Sequence, residues 1–452
     1  MKNKNLTRDM TVGSPFGHML SFGIPVAVGN LCQNLYSALD TAIVGRAVGT
    51  QALAAVGATG SIWSLIMGCV RVVDGFGIAI ARSFGSKKED RTRKYVVMSL
   101  YLTLIIAALV TAASLLLARP VLEFMKTPAD IIDDSVLYIS IIFAGIPFTM
   151  FYRLTTDILS AFGNSKVPLM ATTIGSLFNI AVDLTLVIVF DMGVVGVALG
   201  TVLANVICIP LCLRYLMKIS FMKFSREDFR WDGKMAKELL ALGAPIGCMD
   251  IVTAIGMSIL QTVVNTMGAA VVAAYVVAHK VIELSYQLTD IVAYSMSTFM
   301  SQNLGAGLVK RAKGGIRTAV LMNIVLSAAI AAVLVLFGKP ITALFITGGE
   351  KAVIDIAYPY IAIVGAMVWS LAMLFIFRAA LQSTGNTFIP MFSGLVELIF
   401  RLSVVFILPR SWGFYRICFA EVAAWVFAAA MLYIAFKIRI GKIEKNTPGS
   451  PA

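Results

Sequence analysis

Four side chains could together hold a proton or a hard cation: the carboxylates of Asp40 and Asp183, the amide of Asn179 and the hydroxyl of Thr201. Each stands in a long apolar stretch with no basic residue one helical turn away. A carboxylate without a partner in low dielectric must take up a proton, bind a cation or meet a base from another helix. Asp250, Asp290 and Glu421 share that position. Other intramembrane charges come in opposite-sign couples. Arg71 and Asp74 are three apart, as are Lys280 and Glu283; Arg153 and Asp157 are four apart, as are Glu397 and Arg401. Residues at those spacings share a helix face, so each couple is expected to neutralise itself.

Catalytic chemistry has little support. No nucleophile with a base partner, P-loop, His-Glu-x-x-His or dinucleotide loop appears, so no catalytic residue is assigned and the chain is read as not an enzyme. Without a P-loop it cannot hydrolyse ATP, and energy must come from an ion gradient. Asn179-x-x-x-Asp183 faintly resembles the magnesium-diphosphate motifs of membrane prenyltransferases. Those need clustered Asp at the cytoplasmic surface, and here the acids are sparse and lie toward the outside. The six Cys all lie in apolar segments; Cys208 and Cys212 are one turn apart but have no second ligand pair, which argues against zinc or a disulfide framework.

The elements that must position these groups follow from composition. The chain has 452 residues, 59% hydrophobic and 13% charged, with a mean hydropathy of +0.88. A water-facing surface cannot be made from this material. Apolar blocks long enough to cross a bilayer are the natural unit. Twelve fit, near 18–45, 54–80, 95–117, 136–157, 168–190, 194–217, 238–264, 272–297, 316–337, 356–378, 389–408 and 416–438. The expected fold is an all-α polytopic membrane protein. The net charge of +13 comes mostly from inner segments, such as Lys87, Lys88, Arg91, Arg93 and Lys94, together with Lys2, Lys4 and Arg8. Outer loops hold only Arg46, Arg119, Lys126, Lys339, Lys351, Arg410 and Arg416. That bias places both termini in the cytoplasm, in an inner or plasma membrane. It also explains the basic excess without nucleic acid.

The chain repeats at an offset of about 220 residues. Gly23-Ile24-Pro25 matches Gly243-Ala244-Pro245, Phe84-Gly85-Ser86 matches Leu304-Gly305-Ala306, and Gly163-Asn164 with Pro168 matches Gly385-Asn386 with Pro390. An even number of spans per repeat gives two parallel, pseudo-symmetric six-helix lobes. The expected organisation is an N-lobe over 1–217, a cytoplasmic inter-lobe loop over 218–237, and a C-lobe over 238–452 with a short cytoplasmic tail. A cleft between lobes suggests alternating access. Gln33 and Asn34, with Gln261 and Asn265, lie on the first span of each lobe and are expected to line it.

Depth brings the first four residues together. Asp40, Asp183 and Thr201 lie about five to seven residues from the outer ends of spans 1, 5 and 6, with Asn179 one turn deeper. At about 1.5 Å per residue all four share a depth to within roughly 10 Å. Shifted by the repeat, Asp40 falls on Leu260, Asn179 on Arg401, Asp183 on Val405 and Thr201 on Glu421. The carboxylate cluster is thus expected in the N-lobe alone. In the C-lobe Arg401 can pair with Glu397 or Glu421, and Glu283, Glu397, Arg401 and Glu421 are expected to form a structural or substrate-contacting network.

These residues resemble the multidrug and toxic compound extrusion (MATE) family. The likeness starts at Gly23-Ile24-Pro25 and runs through Asn34-Leu35-Tyr36-Ser37-Ala38-Leu39-Asp40-Thr41-Ala42-Ile43-Val44-Gly45-Arg46 and Ala52-Leu53-Ala54-Ala55-Val56-Gly57 to Phe84-Gly85-Ser86-Lys87. It resumes at Ser301-Gln302-Asn303-Leu304-Gly305-Ala306-Gly307 and Gln382-Ser383-Thr384-Gly385-Asn386. The resemblance implies two six-helix lobes in a V shape, cation-for-drug antiport, and an acidic N-lobe site matched by Asp40, Asn179, Asp183 and Thr201. Asp74 departs from the family, which usually has a small or polar uncharged residue there. The expected protein is a monomeric antiporter that exports amphipathic, cationic organic compounds in exchange for H+ or Na+. It needs no cofactor, and its only metal would be Na+ at Asp40 and Asp183. The rival is a lipid-linked oligosaccharide flippase of the same superfamily, for which a more basic cleft and fourteen spans would be expected.

Overall fold

The computed structural model describes residues 6–345 and 351–446. Lys2 and Lys4 lie outside the described residues, as do the side chains of Arg46 and of residues 35–38, 41 and 42. All regular structure among the described residues is helical. The first half holds α1 (Pro15–Ile43), α2 (Thr50–Val70), α3 (Asp74–Gly85), α4 (Glu89–Phe124), α5 (Ile132–Ala144), α6 (Ile146–Ala161), α7 (Lys166–Leu184) and α8 (Gly193–Leu216). The second holds α9 (Gly233–Asn265), α10 (Ala269–Gly305), α11 (Val309–Ala343), α12 (Lys351–Ala366), α13 (Val368–Ser383), α14 (Phe388–Ile407) and α15 (Tyr415–Lys445).

Nine described helical stretches are long and apolar enough to cross a membrane, with α2 and α3 counting as the single stretch Thr50–Gly85. Two bent pairs, α5 with α6 and α12 with α13, raise the number to eleven. The remaining expected span, 18–45, falls on α1. The expected spans 136–157 and 356–378 are therefore broken rather than straight, bending by 43° and 47°. At the first break, Pro147 opens α6 and has no N–H to give to the preceding turn. Large apolar side chains such as Leu116, Phe124, Leu336 and Ile407 point outward, as lipid-facing surfaces require.

Turn geometry repeats along with the sequence. Gly49 and Gly268 both carry positive φ (116° and 99°), as do Gly163 and Gly385 (79° and 81°) and Gly193 and Gly413 (53° and 50°). These are conformations that glycine adopts without a Cβ penalty. The buried faces repeat as well: Ala171, Gly175, Asn179 and Asp183 on α7 correspond to Ser393, Glu397, Arg401 and Val405 on α14.

The chain divides into two compact units. One comprises Ile24–Gly247 with the described residues before Thr11; the other comprises Thr11–Gly23 with the described residues from Cys248 onward. In the first unit, α8 packs on α5, α6 and α7, and α4 packs on α3, α5 and α6. In the second, α10 packs on α11, α12 and α13, and α15 on α12, α13 and α14.

The segment 218–237, expected as a loop between lobes, is docked within the first unit. Phe221 packs edge-on against Phe162 and tilted against Phe84. Arg93 of α4 donates through Nε to Asp228 Oδ2 at 3.0 Å and through Nη1 to the Phe221 carbonyl at 3.2 Å. Asp228 also accepts from the Ser225 backbone N–H at 2.7 Å and its hydroxyl at 3.0 Å. The early part of α9 joins the same unit by backbone contact. A Cβ on Gly247 would stand 2.6 Å from the Gly68 carbonyl oxygen, and one on Gly243 2.2 Å from that of Val72. Small residues four apart let helices approach this closely, and in lipid such packing replaces the hydrophobic drive.

Gly247→Leu should therefore cost about 1–3 kcal/mol through overpacking, read as a lower melting temperature of purified protein. Gly60→Ala, where a Cβ meets nothing within 4 Å, should leave it unchanged. Asp228 supplies a pH test. Burial opposes its charge, but the Ser225 N–H, Arg93 and the Ser225 hydroxyl outweigh that and hold its pKa below the usual carboxylate value. A lowered folded-state pKa gives stability that is present at neutral pH and lost as pH falls through it. Asp228→Asn should melt below wild type at pH 7, with the gap closing on acidification; a constant gap would contradict this role.

Candidate functional site

Helix α7 carries the buried heart of the site in the first unit. Its face of Ala171, Gly175, Asn179 and Asp183 recurs every fourth residue, so it forms one continuous line against α8. Asp183 is fully buried and Asn179 nearly so. The Asn179 amide donates to Asp183 Oδ1 at 3.4 Å. On α8 the carboxylate meets Gly200, where a Cβ would lie 1.7 Å from Asp183 Oδ1 and 3.2 Å from Asn179 Nδ2. Glycine is thus the residue whose lack of a side chain makes room for the carboxylate.

Asp40 enters from α1, within electrostatic range of Asp183. Neighbouring carboxylates in low dielectric favour a shared proton or a bound cation, because two like charges there repel. Asp40 Oδ1, Asn179 Oδ1 and Asp183 Oδ2 are buried with no hydrogen-bond partner. Three unmet oxygen acceptors, one from each carboxyl and one from the amide, fit a proton or a small hard cation, which prefers oxygen ligands. Among the described residues no group of three or more His, Cys, Asp or Glu converges as metal ligands.

Asp40, Asp183 and Asn179 are thus brought together. Thr201 sits beside Gly200, but its hydroxyl donates along its own helix to the Val197 carbonyl at 3.2 Å. Sequence reasoning missed two participants. Tyr138 of α5 lies within electrostatic range of both Asp40 and Asp183, and Gly200 shapes the cradle. The signal for Tyr138 was a polar tip near the outer start of span 4, at a depth close to the cluster.

Several of the charges in these couples pair across helices. Arg153 donates through Nε and Nη2 to both carboxylate oxygens of Asp74, with Nη2 to Oδ2 at 2.7 Å. A planar guanidinium fork matches a carboxylate side-on, a geometry that a neighbour on the same helix seldom offers. Likewise Arg378 pairs with Glu397, and Arg401 Nη2 donates to Glu421 at 3.0 Å. Asp74 is thus reached by Arg153 from another helix, Glu397 by Arg378 rather than through Arg401, and Arg401 takes Glu421, one of its two expected partners. Lys280 and Glu283 do pair as their spacing predicts, at 2.9 Å on an exposed face. Asp250 and Asp290 each have contacts of their own. Gln33 is exposed and Asn34 half-buried in the first unit. In the second unit Gln261 donates to Asn265 at 2.8 Å along α9.

A sequence model described as MatE matches residues 25–185 and 245–407, so each match falls on one copy of the repeat. The chain is 25% identical over 398 residues to a probable multidrug resistance protein, YoeA, of Bacillus subtilis, covering 85% of each. It is 21% identical over 437 residues to the multidrug export protein MepA of Staphylococcus saprophyticus, covering 94% of each. A crystal structure of MATE in the bent conformation superposes with a TM-score of 0.91 at 20% identity, covering 99% of this chain and 100% of that one. At that identity the likeness establishes the fold.

Gly200→Ala should displace the Asp183 carboxylate. Its expected effect is an affinity loss of about tenfold or more for the proton or cation, read as a lost pH- or Na+-dependent shift in melting temperature. An unchanged shift would remove Gly200 from the site.

Proposed function

The chain belongs to the MatE family, and on that premise we propose that it is a multidrug exporter driven by an inward cation gradient. The observation that carries this reading is the fully buried Asp183 with Asn179 beside it and Asp40 in electrostatic range, one oxygen of each lacking a hydrogen-bond partner. Such a pair has a large electrostatic reason to change occupancy when its surroundings change. An ion shifts a two-state equilibrium only by its differential affinity for the two states. A proton or Na+ held between Asp40 and Asp183 favours one arrangement; its release inward favours the other. Amphipathic organic cations leave as the ion enters, by alternating access. The protein acts as a single chain in the cell membrane with both termini in the cytoplasm, in keeping with its basic inner segments. It is a transporter rather than an enzyme and needs no cofactor besides the coupling ion. The relatives' names, a multidrug resistance protein and a multidrug export protein, support the substrate class.

The test is uptake of a cationic dye into proteoliposomes under a Na+ gradient and a pH gradient imposed separately. One gradient should drive dye against its concentration, naming the coupling ion. Asp40→Asn should lower that transport on the order of tenfold or more. Gradient-driven transport that is equal in wild type and Asp40→Asn would overturn the site assignment.

A further inference from the structure

The second unit contains the repeat-related counterpart of the acidic site, rebuilt with different chemistry. The register is fixed by the matched glycine turns and by the matching buried faces of α7 and α14. It carries Asp40 onto Leu260 and Asp183 onto Val405, both fully or almost fully buried. Asn179 falls on Arg401 and Thr201 on Glu421. The breaks at Gly145 and Met367 align as well, which places Tyr138 on Tyr360. Electrostatics support that last match independently: Tyr138 is within range of Asp40 and Asp183, and Tyr360 within range of Glu421. The same backbone position thus holds two carboxyls and no base in one unit, and one carboxylate with one guanidinium in the other.

Arg401 and Glu421 are 2% and 1% exposed, and their contact is 3.0 Å. Neither is fully satisfied. Arg401 Nε and Nη1 and Glu421 Oε1 are buried with no hydrogen-bond partner, as are the hydroxyls of Tyr286 and Tyr360. Gly256 of α9 leaves space beside the guanidinium, since a Cβ there would stand 3.2 Å from Arg401 Nη1. The charged and titratable groups around Glu421 come from each packed helix. They are Arg401 and Glu397 on α14, Arg378 on α13, Tyr360 on α12, Tyr275, His279 and Tyr286 on α10, and Cys418 one turn before Glu421 on α15. Arg378 is already committed to Glu397. Arg401 is therefore the base that neutralises Glu421.

We propose that Arg401 is a tethered cation: in the second unit its guanidinium supplies permanently the positive charge that the first unit takes from solution. The comparison with an exchangeable ion rests on the reading under Proposed function; the charge-balancing role of Arg401 does not. In the native protein this leaves the first unit as the coupling site and makes the second indifferent to Na+ and to a proton. Cutting the tether creates a vacant site beside Glu421, lined by Tyr286, Tyr360 and Gly256. That site would take a small guanidinium ion or a proton, because a buried lone carboxylate must be neutralised.

Purified wild type, Arg401→Ala and Arg401→Ala/Glu421→Gln are compared by melting temperature. Each is titrated with methylguanidinium, Na+ and tetramethylammonium at matched ionic strength, and across pH. Arg401→Ala should melt several degrees below wild type. Methylguanidinium should restore part of the loss saturably, and acidification should restore it too, whereas tetramethylammonium should not. The double variant should recover stability without either and respond to neither. Should Arg401→Ala yield no folded protein, a folded double variant supports the proposal and an unfolded one overturns it. A melting loss in Arg401→Ala that is indifferent to both methylguanidinium and pH also overturns it. Melting does not depend on transport, so a failure of coupling at Asp40 leaves this result readable.

Discussion

Two neighbouring carboxyls inside a membrane-spanning bundle are the constraint around which the site in the first unit is built. Two like charges about 4 Å apart repel by roughly 4 kcal/mol even at an effective dielectric of 20. Both cannot stay ionised unless a cation sits with them. The surroundings of Asp40 and Asp183 are arranged around that fact. Asn179 turns its amide donor to Asp183 and leaves its oxygen unmet. Gly200 removes the side chain that would otherwise fill the space of the carboxylate. The polar atoms left without a partner on Asp40, Asn179 and Asp183 are acceptors, which suit a positive occupant.

The internal repeat shows how little backbone change is needed to alter that chemistry. Turns at Gly163 and Gly385, and at Gly193 and Gly413, have nearly identical φ values. Both broken spans bend by similar angles, 43° and 47°. The scaffold is common to both units. What differs is which side chains occupy the buried line of α7 or α14, Asn179 and Asp183 in one and Glu397 and Arg401 in the other. A bundle held by close helix packing can tolerate this, because lipid supplies no hydrophobic gain that the polar exchange would forfeit.

Much of this was legible in the sequence, for identifiable reasons. Length and hydropathy give the spans because backbone polar groups in lipid must be satisfied within the helix. Depth from the outer ends was enough to bring Asp40, Asn179 and Asp183 to one level. The failures share one cause. Helical spacing reports which residues share a face, not which helix that face meets. So the reach of Arg153 to Asp74 and of Arg378 to Glu397, both across helices, does not show in the spacing. Gly200 was invisible for the same reason, since a glycine has no chemistry until its neighbour is known. The charges of the connector 218–237 likewise do not reveal that Arg93 and Asp228 tie it down across more than a hundred residues of chain.

The most direct measurement is infrared difference spectroscopy of the purified protein, comparing Na+-free with Na+-loaded and acidic with alkaline samples, in wild type and Asp183→Asn. The account predicts a protonated-carboxyl C=O band in wild type that vanishes with alkali or Na+ and is missing from Asp183→Asn. A wild-type spectrum without such a band, or one unchanged by Asp183→Asn, would contradict a shared proton or cation at the Asp40–Asp183 pair.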